Sequence, residues 1–324
     1  MKKELLKYLE ESNDYVSGEA LAKKFGVSRA AVWKAVKSLK DSGCAIDSVP
    51  NRGYRLIRQA DSIDGDIIRK NMNERARELE LVVLETVDST NNEAKRMLAH
   101  GFDGGALIIA NEQTGGRGRL GRSFYSPKNT GIYMTFLLKS SLALSDAVTV
   151  TTAAAVAVAK AIETVTAIDV QIKWVNDVYI NGKKVCGILT EAVSDFETGV
   201  AKSIIIGIGI NITTEHFPDG VSAAALGTTK PVRNQLIAAA ANELIAIYDA
   251  LPDRTAFIEY YRQHSNIIGK NIDFYINNIK HTGTAEDIDE NGALVVRLPD
   301  DGVTVLSSGE VSVRPAGSEP PETK

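Results

Sequence analysis

The chain has 324 residues, of which 44% are hydrophobic and 24% charged, a composition typical of a globular protein with two or three domains. No apolar segment follows Met1, so the sequence predicts no signal peptide. Cys44 and Cys186 lie far apart and form no Cys-x-x-Cys pair, which argues against a disulfide framework or a zinc site and favours the cytoplasm. The apolar stretch 147–162 is predicted to be too short to span a bilayer.

Charge is unevenly distributed along the chain. Its net charge is −4, but residues 1–58 contain 12 Lys and Arg against 7 Asp and Glu, which gives this segment +5 and the remainder −9. A basic segment joined to an acidic body indicates that one end of the protein contacts nucleic acid.

The basic segment predicts a winged helix-turn-helix. A first helix from Lys2 precedes a helix that Ser17 caps and Gly26 ends, and Ser28 caps a third. Two short strands, 44–49 and 53–57, follow as the wing. The candidate DNA-binding residues are Ser28, Arg29, Trp33, Lys37, Arg52 and Arg55. A three-helix protein-interaction module is the alternative, and Trp33 fits contact with a base, the wing or a partner equally well.

The rest of the chain predicts two further domains of an α+β protein. Residues 61–80 are polar and predict a connecting helix at the domain boundary. Strands mixed with three predicted helices, at 93–100, 147–165 and 233–251, indicate a central mixed-sheet α+β domain over residues 81–266. Short strands then predict a small SH3-like β-barrel over residues 267–315, with the last strand at 311–314, and a disordered tail over residues 316–324.

A loop at residues 115–122 interleaves four glycines with three arginines. Glycine lets the backbone approach an anion closely, and guanidinium groups supply fixed positive charge. Gly116, Gly118 and Gly121 match G-x-G-x-x-G, but a predicted strand at 132–138 follows instead of the helix that a dinucleotide fold requires. The loop predicts a nucleotide or other anion site, and a surface loop with solvated arginines is the alternative.

Three more segments carry polar groups or glycines inside predicted regular structure. Residues 85–93 end a strand and precede a helix at Glu93, where free N–H groups can bind a polar ligand or form a plain cap. The hairpin 170–189 places Lys173, Asn176 and Asp177 among apolar positions, and buried polar groups in a sheet need partners or a function. Glycines in the strand 204–212 permit close backbone approach.

These segments, in this order, resemble the biotin–protein ligase family. The matching pieces are Asp88–Asn91, Gly116–Arg122, Lys173–Asp177, Lys184 with Gly187–Leu189, and Gly207–Asn211. With the N-terminal domain included, residues 1–315 resemble the bifunctional members, which also repress the biotin operon. The family usually has proline at the position of Val175 and a small residue at that of Cys186, and neither departure removes a functional group.

The resemblance implies an ATP-dependent biotin–protein ligase. The biotin carboxylate attacks the α-phosphate of ATP to give biotinyl-5′-adenylate, and a lysine of the biotin carboxyl carrier protein of acetyl-CoA carboxylase, or of another biotin-dependent carboxylase domain, then attacks that anhydride. ATP, biotin and Mg²⁺ are the implied cofactors, with operator DNA as a partner, a homodimer when liganded and no membrane. A lipoate–protein ligase and a non-catalytic ligand-sensing repressor are the alternatives.

The resemblance also implies roles for individual residues. The implied catalytic residues are Lys184, Arg119 and Asp177. The implied biotin-binding residues are Ser89, Thr90, Asn91, Gln113, Gly116, Arg117, Gly118, Arg119, Lys184 and Gly187. The implied ATP- or adenylate-binding residues are Arg117, Arg119, Arg122, Asn176 and Asn211. No protein ligand to a metal is assigned, Trp174 is expected to exclude water, and the strand 204–212 is a candidate for edge pairing between protomers unless it is central.

Overall fold

Three β-sheets follow one another along the chain. The computed structural model describes residues 1–12, 14–41, 43–58, 60–143, 146–194, 201–276, 279–307 and 314–315. The predicted tail 316–324 and most of the predicted strand 311–314 lie outside the described residues.

The N-terminal region has three helices and a two-stranded antiparallel sheet, as predicted. Its elements are α1 (Lys2–Glu11), α2 (Gly18–Phe25), α3 (Arg29–Asp41), β1 (Ala45–Val49) and β2 (Gly53–Arg58). Ser17 Oγ accepts a hydrogen bond from Ala20 N, and Gly26 ends α2 in the left-handed conformation. Ser28 Oγ accepts one from Ala31 N at 3.2 Å. Leucines and valines of all three helices form a separate apolar core.

The connecting segment is two short helices and not the single helix predicted. They are α4 (Gly65–Asn71) and α5 (Glu74–Arg77). The chain breaks between them because Asn73 is extended and its side chain accepts a hydrogen bond from Ala76 N, which starts a new helix.

The central region is a seven-stranded mixed sheet with helices on both faces. Its elements are β3 (Glu80–Leu84), α6 (Thr90–Ala99), β4 (Ala106–Ala110), β5 (Gly131–Lys139), α7 (Ala147–Thr166), β6 (Gln171–Lys173), β7 (Asp177–Ile180), β8 (Lys183–Ser194), β9 (Ala201–Asn211), α8 (Arg233–Ala250) and α9 (Thr255–His264). The strand order is β3-β4-β5-β9-β8-β7-β6, and only β3 and β4 pair in parallel.

Alternation along the strands assigns each side chain to one face of this sheet. Ile108 and Ile205 pack with Ala94 of α6, whereas Ile109 and Ile206 belong to the larger core that contains α7 and α8. Because neighbouring side chains of a strand point to opposite faces, α6 lies across the sheet from α7 and α8. The α6 face is the one that holds the cavity described below.

Four features of this region correct the predictions. Helix α6 begins at Thr90 and not at Glu93, and α9 lies in a stretch where no helix was predicted. Strand β9 pairs with β5 and β8 on its two sides, so it is central and cannot form an edge between protomers. The apolar stretch of α7 is longer than the predicted 147–162: Val148–Thr166 is long and apolar enough to cross a membrane, but 78% of its apolar window is buried inside the protein, as in a core helix.

The connecting segment is fastened to the start of α8. The Asp61 carboxylate accepts hydrogen bonds from Val232 N at 3.0 Å and Arg233 N at 3.1 Å. The Arg233 side chain is buried and donates to Asp61 O and to Asn111 Oδ1. Asn234 bonds Ser62 O and Asp64 N in addition. The chain that leaves the N-terminal region is therefore tied to the central sheet.

The C-terminal region is a five-stranded antiparallel sheet. Its strands are β10 (Asn271–Ile276), β11 (Ile279–Ile288), β12 (Leu294–Arg297), β13 (Val303–Leu306) and β14 (Arg314–Pro315), in the order β13-β12-β11-β10-β14. Its apolar side chains, such as Phe274 and Leu294, join the core of the central sheet. Trp174 Nε1 also donates to Gly292 O at 2.9 Å, so the two regions pack as one body.

Candidate active site

A cavity of about 780 Å³ opens on the α6 face, between the central sheet and the start of the C-terminal sheet. Most of the predicted ligand-binding residues line it, although they come from five separate segments of the chain. The predicted residues at its wall are Ser89, Thr90, Asn91, Gln113, Arg117, Gly118, Arg119, Arg122, Asn176, Asp177, Lys184 and Gly187. Trp174 and Lys173 line it as well.

The start of α6 forms one wall through a fixed polar network. Gln113 Oε1 accepts hydrogen bonds from the N and Oγ1 of Thr90, at 2.9 and 3.1 Å. Thr135 Oγ1 lies 2.7 Å from both Thr90 Oγ1 and Asn91 Oδ1. Ser89 precedes the helix, and its hydroxyl makes no capping hydrogen bond. The side chain of Ser89 therefore presents a polar group to the cavity from a rigid support.

The glycine-arginine loop folds back on itself over the cavity. Gly118 N donates to Arg122 O at 2.7 Å, and Phe124 N donates to Gly116 O at 2.9 Å. Leu120 sits at the tip with a positive φ of 56°, and its side chain is 71% exposed. The backbone hydrogen bonds hold the loop as a hairpin that aims arginines at the sheet.

Opposite charges meet at the inner wall. Arg119 Nη1 donates to Asn176 Oδ1 at 3.1 Å, and Lys184 Nζ lies 2.7 Å from Asp177 Oδ1. Asn176 is fixed in turn, because its Nδ2 donates to Ile188 O. Burial lowers the pKa of Arg119, while the nearby carboxylate favours its charged form. Arg119 and Lys184 thus lie together at the partly buried inner wall, where positive charge stabilises an anionic ligand more than it would in open solvent.

Glycines of β8 and β9 form the floor and leave room for the side chains above them. A Cβ at Gly209 would lie 2.4 Å from Phe124 Cε1, and a Cβ at Gly207 would lie 2.2 Å from Asn91 Oδ1. A Cβ at Gly187 would lie 3.0 Å from Lys184 Nζ. The glycines are therefore required for close packing of the groups that line the cavity.

Arg117 is held by groups that the sequence did not single out. Its Nη1 donates to Asn92 Oδ1 at 3.2 Å, and its Nη2 lies 3.9 Å from Glu191 Oε1. Burial opposes ionisation of Glu191, yet hydrogen bonds from Lys95 and Asn91 together lower its pKa. Glu191 is four residues beyond Gly187 on β8, so the alternation of that strand could have placed it on the cavity face.

Other cavity residues were also missed by the sequence interpretation. Phe124 follows the glycine-arginine loop, and Asn266 and Lys270 lie in the connection between α9 and β10. An aromatic residue directly after an anion-binding loop was an available signal for Phe124. The contribution of Lys270 depends on how the C-terminal sheet packs, which no local pattern reports.

Two predicted ligand residues lie outside the cavity wall. A Cβ at Gly116 would lie 2.4 Å from Phe124 O, so this glycine serves the base of the loop hairpin. Asn211 is buried, and its Nδ2 donates to Ala224 O at 3.1 Å. Gly116 and Asn211 therefore stabilise the segments around the cavity and do not form its wall.

The two departures from the family pattern are both buried. Val175 and Cys186 belong to the main apolar core, and the peptide bond between Trp174 and Val175 is cis. Burial raises the pKa of the Cys186 thiol. Cys186 therefore acts as an apolar filler beneath the site.

The predicted DNA-binding residues lie on α3 and the β1–β2 hairpin. Trp33 is 55% exposed, with Lys37 Nζ 5.5 Å from its ring centre. More than half of Trp33 is therefore accessible to a partner or a base. Arg52 and Arg55 both lie over the ring of Tyr15.

Comparisons with known proteins agree with this arrangement region by region. Residues 83–211 match the biotin/lipoate A/B protein ligase family, residues 2–55 an HTH domain, and residues 267–314 the biotin protein ligase C-terminal domain. The chain is 34% identical over 222 residues to the bifunctional ligase/repressor BirA of Bacillus spizizenii, covering 68% of each chain. It is 28% identical over 313 residues to that of Escherichia coli, covering 94% of this chain and 95% of the relative.

A solved structure shares most of this fold. The biotin protein ligase of Aquifex aeolicus in complex with biotin and ATP superposes with a TM-score of 0.61 at 26% identity, over 73% of this chain and 99% of that one. The match to the Escherichia coli relative spans all three regions, and the Bacillus spizizenii relative is 34% identical over 68% of each chain, so this chain belongs to the family of the bifunctional ligase/repressor BirA.

Proposed function

We propose that this protein is an ATP-dependent biotin–protein ligase that is also a biotin-responsive repressor. The observation that carries the ligase function is the convergence of Arg119, Asn176, Asp177 and Lys184 above the glycine strands of one cavity. The relatives that match 94% of this chain are named as ligase and repressor in one protein.

In the first step the biotin carboxylate forms a bond to the α-phosphorus of ATP, and pyrophosphate leaves. Two anions must approach each other, so fixed cations at the point of attack lower the barrier. Lys184 and Arg119 are the cations proposed for that position, and Arg117 and Arg122 are proposed to hold the phosphate from the loop. Ser89, Thr90, Asn91 and Gln113 are proposed to bind the biotin head through their polar network.

In the second step the neutral amine of an acceptor lysine attacks the carbonyl carbon of the adenylate, the bond from that carbon to the phosphate oxygen breaks, AMP leaves with its electrons, and the new amide nitrogen releases a proton to water. Asp177 is proposed to orient that lysine, since its carboxylate already binds an ammonium group, that of Lys184, at 2.7 Å. The apolar wall that contains Trp174 would exclude water and so protect the anhydride from hydrolysis. The proposed acceptor is a biotin carboxyl carrier domain.

Magnesium is proposed to accompany ATP. Among the described residues, no group of three or more His, Cys, Asp or Glu side chains could hold a metal ion. A nucleotide-borne Mg²⁺, bound chiefly through phosphates and water, fits this donor set because it needs no protein cage. Its role would be to neutralise charge on the phosphates.

The N-terminal region is proposed to bind operator DNA through α3 and the hairpin, as a homodimer when liganded. β7 pairs with β8 only as far as Gly187, so residues 190–194 of β8 have no strand on that side in the described part of the chain. Pairing of this edge with its copy would give a two-fold dimer. The proposed domains are residues 1–60, a linker over 61–80, the catalytic domain over 81–266 and an SH3-like barrel over 267–315.

The test is pyrophosphate release by the full chain with ATP and Mg²⁺, in the presence of biotin, lipoate or neither acid. We expect release with biotin alone, followed by transfer of biotin to a carboxyl carrier domain. Preference for lipoate would assign the protein to the lipoate ligases. Binding of biotin without pyrophosphate release would make it a sensor that lacks catalysis.

A further inference from the structure

Two arginines of the β1–β2 hairpin converge on a single aromatic ring. The Cζ atom of Arg52 lies 4.3 Å from the centre of the Tyr15 ring, and that of Arg55 lies 4.8 Å from it. Tyr15 belongs to the short connection between α1 and α2, so its ring links the helical part of the domain to the hairpin. Both arginines are in the range of a cation–π contact.

Tyr15 is held by hydrogen bonds at its hydroxyl group and at its backbone. The Tyr15 hydroxyl donates a hydrogen bond to Asp47 Oδ2, and the Tyr15 backbone N donates to Asp14 Oδ1 at 2.7 Å. Asp47 is the cross-strand neighbour of Arg55, and Asp14 Oδ1 lies 3.5 Å from Arg52 Nη2. Each arginine therefore has a carboxylate beside it as well as the ring.

Backbone contacts fix the hairpin against the same connection. Val16 and Tyr54 exchange two N–H···O hydrogen bonds of 2.9 Å. A Cβ at Gly53 would lie 2.1 Å from Val16 O, so only glycine allows this approach. The backbone of the hairpin is thus held at a fixed distance from the backbone next to Tyr15, which limits how far the two arginines can move from the ring.

We propose that Tyr15 is a positioning residue for DNA binding, which holds Arg52 and Arg55 against its ring for the phosphates of the DNA backbone. Without the ring, the two guanidinium groups would repel each other and sample many rotamers. The negative face of the ring attracts both and reduces the freedom that each would lose on binding. The inference rests on the proposed repressor function.

The experiment measures operator binding by the full chain with biotin and ATP present. The probe is a duplex selected from random sequences by the wild-type protein, and affinity is measured over a range of salt concentrations. Tyr15→Leu removes the ring, Tyr15→Phe keeps it, and Arg55→Ala removes a cation. Pyrophosphate release and the melting temperature report whether each variant is folded.

Tyr15→Leu is expected to weaken operator binding by about five- to thirtyfold, the size of two exposed cation–π contacts. Its salt dependence should stay close to that of the wild type because both arginines remain, whereas Arg55→Ala should reduce the slope by about one. Tyr15→Phe should bind within about twofold of the wild type, a change no larger than the weakest single contact of this kind. In an Arg52→Ala, Arg55→Ala background, Tyr15→Leu should have no further effect.

Several outcomes would overturn the inference. One is a Tyr15→Leu variant that binds as tightly as the wild type, and another is a Tyr15→Phe variant that loses as much affinity as Tyr15→Leu. An undiminished effect of Tyr15→Leu without the two arginines would assign Tyr15 a purely structural role. Failure of the wild-type protein to select any duplex would instead contradict the repressor function, so the two failures are distinguishable.

Discussion

Lys184 Nζ lies 2.7 Å from Asp177 Oδ1 at the inner wall of the cavity. The ammonium group proposed to stabilise the transferring phosphate is thus paired with the carboxylate proposed to orient the acceptor lysine. The side chains are 29% and 20% exposed, so the pair is partly shielded from water and its geometry is constrained. One ion pair would then serve both steps of the reaction.

Lys184→Ala should slow pyrophosphate release by about a hundredfold, since loss of one preorganised electrostatic group costs roughly 3 kcal/mol of transition-state stabilisation. The measurement is the rate of release at saturating biotin and ATP. The neighbouring Lys183 is exposed, so Lys183→Ala is the matched control and should behave like the wild type. A folded Lys184→Ala variant with the wild-type rate would remove Lys184 from the mechanism.

Arg119→Gly should loosen retention of the adenylate more than it blocks its synthesis. The Arg119 guanidinium donates a hydrogen bond to Asn176 across the cavity. Without this side chain the anhydride can escape and react with any exposed amine. The measurement is the distribution of biotin label in a mixture of the carrier domain and unrelated proteins.

The control for loop flexibility is Leu120→Gly, which adds a glycine to the same loop but removes an exposed side chain. Label from this variant should stay on the carrier domain. The explanation fails if Arg119→Gly also labels only the carrier, or if both variants label indiscriminately.

Gly209→Ala should raise the KM for biotin about tenfold or more, because its Cβ would lie 2.4 Å from the Phe124 ring and overpacking of this kind costs roughly 1–3 kcal/mol. Steady-state KM for biotin and for ATP should be compared with the melting temperature. Gly65→Ala is the control, since its Cβ would meet Leu81 at an ordinary 3.5 Å. An unchanged KM for biotin would show that Phe124 can move freely.

The sequence motifs located most of the cavity wall because each is a local signal for an anion or a close backbone approach. The position of a strand within the sheet was harder to predict. The sequence of β9 is apolar, as expected for a central or an edge strand, and only its pairing with β5 and β8 shows that it is central. Gly116 and Asn211 carry family motifs yet pack behind the wall. Tyr15 and Lys270 depend on tertiary contacts that no local pattern encodes.

The adenylate made by the ligase is proposed to drive the protein onto DNA as a dimer as well. One N-terminal domain makes few phosphate contacts, and two domains on a palindrome roughly double them. The bound ligand would order the loops next to the unpaired edge of β8. Dimer formation would then cost less conformational entropy, because these loops are already fixed. Substituting Ala192→Pro on that edge should reduce dimer formation while leaving pyrophosphate release intact, because proline removes a strand donor.

The most direct test is sedimentation velocity and operator binding of the same sample with and without biotin plus ATP. We expect a shift from monomer to dimer, and a parallel rise in operator affinity, only when both substrates are present. Equal dimer populations and equal affinities in the two conditions would contradict it and leave two unlinked functions on one chain.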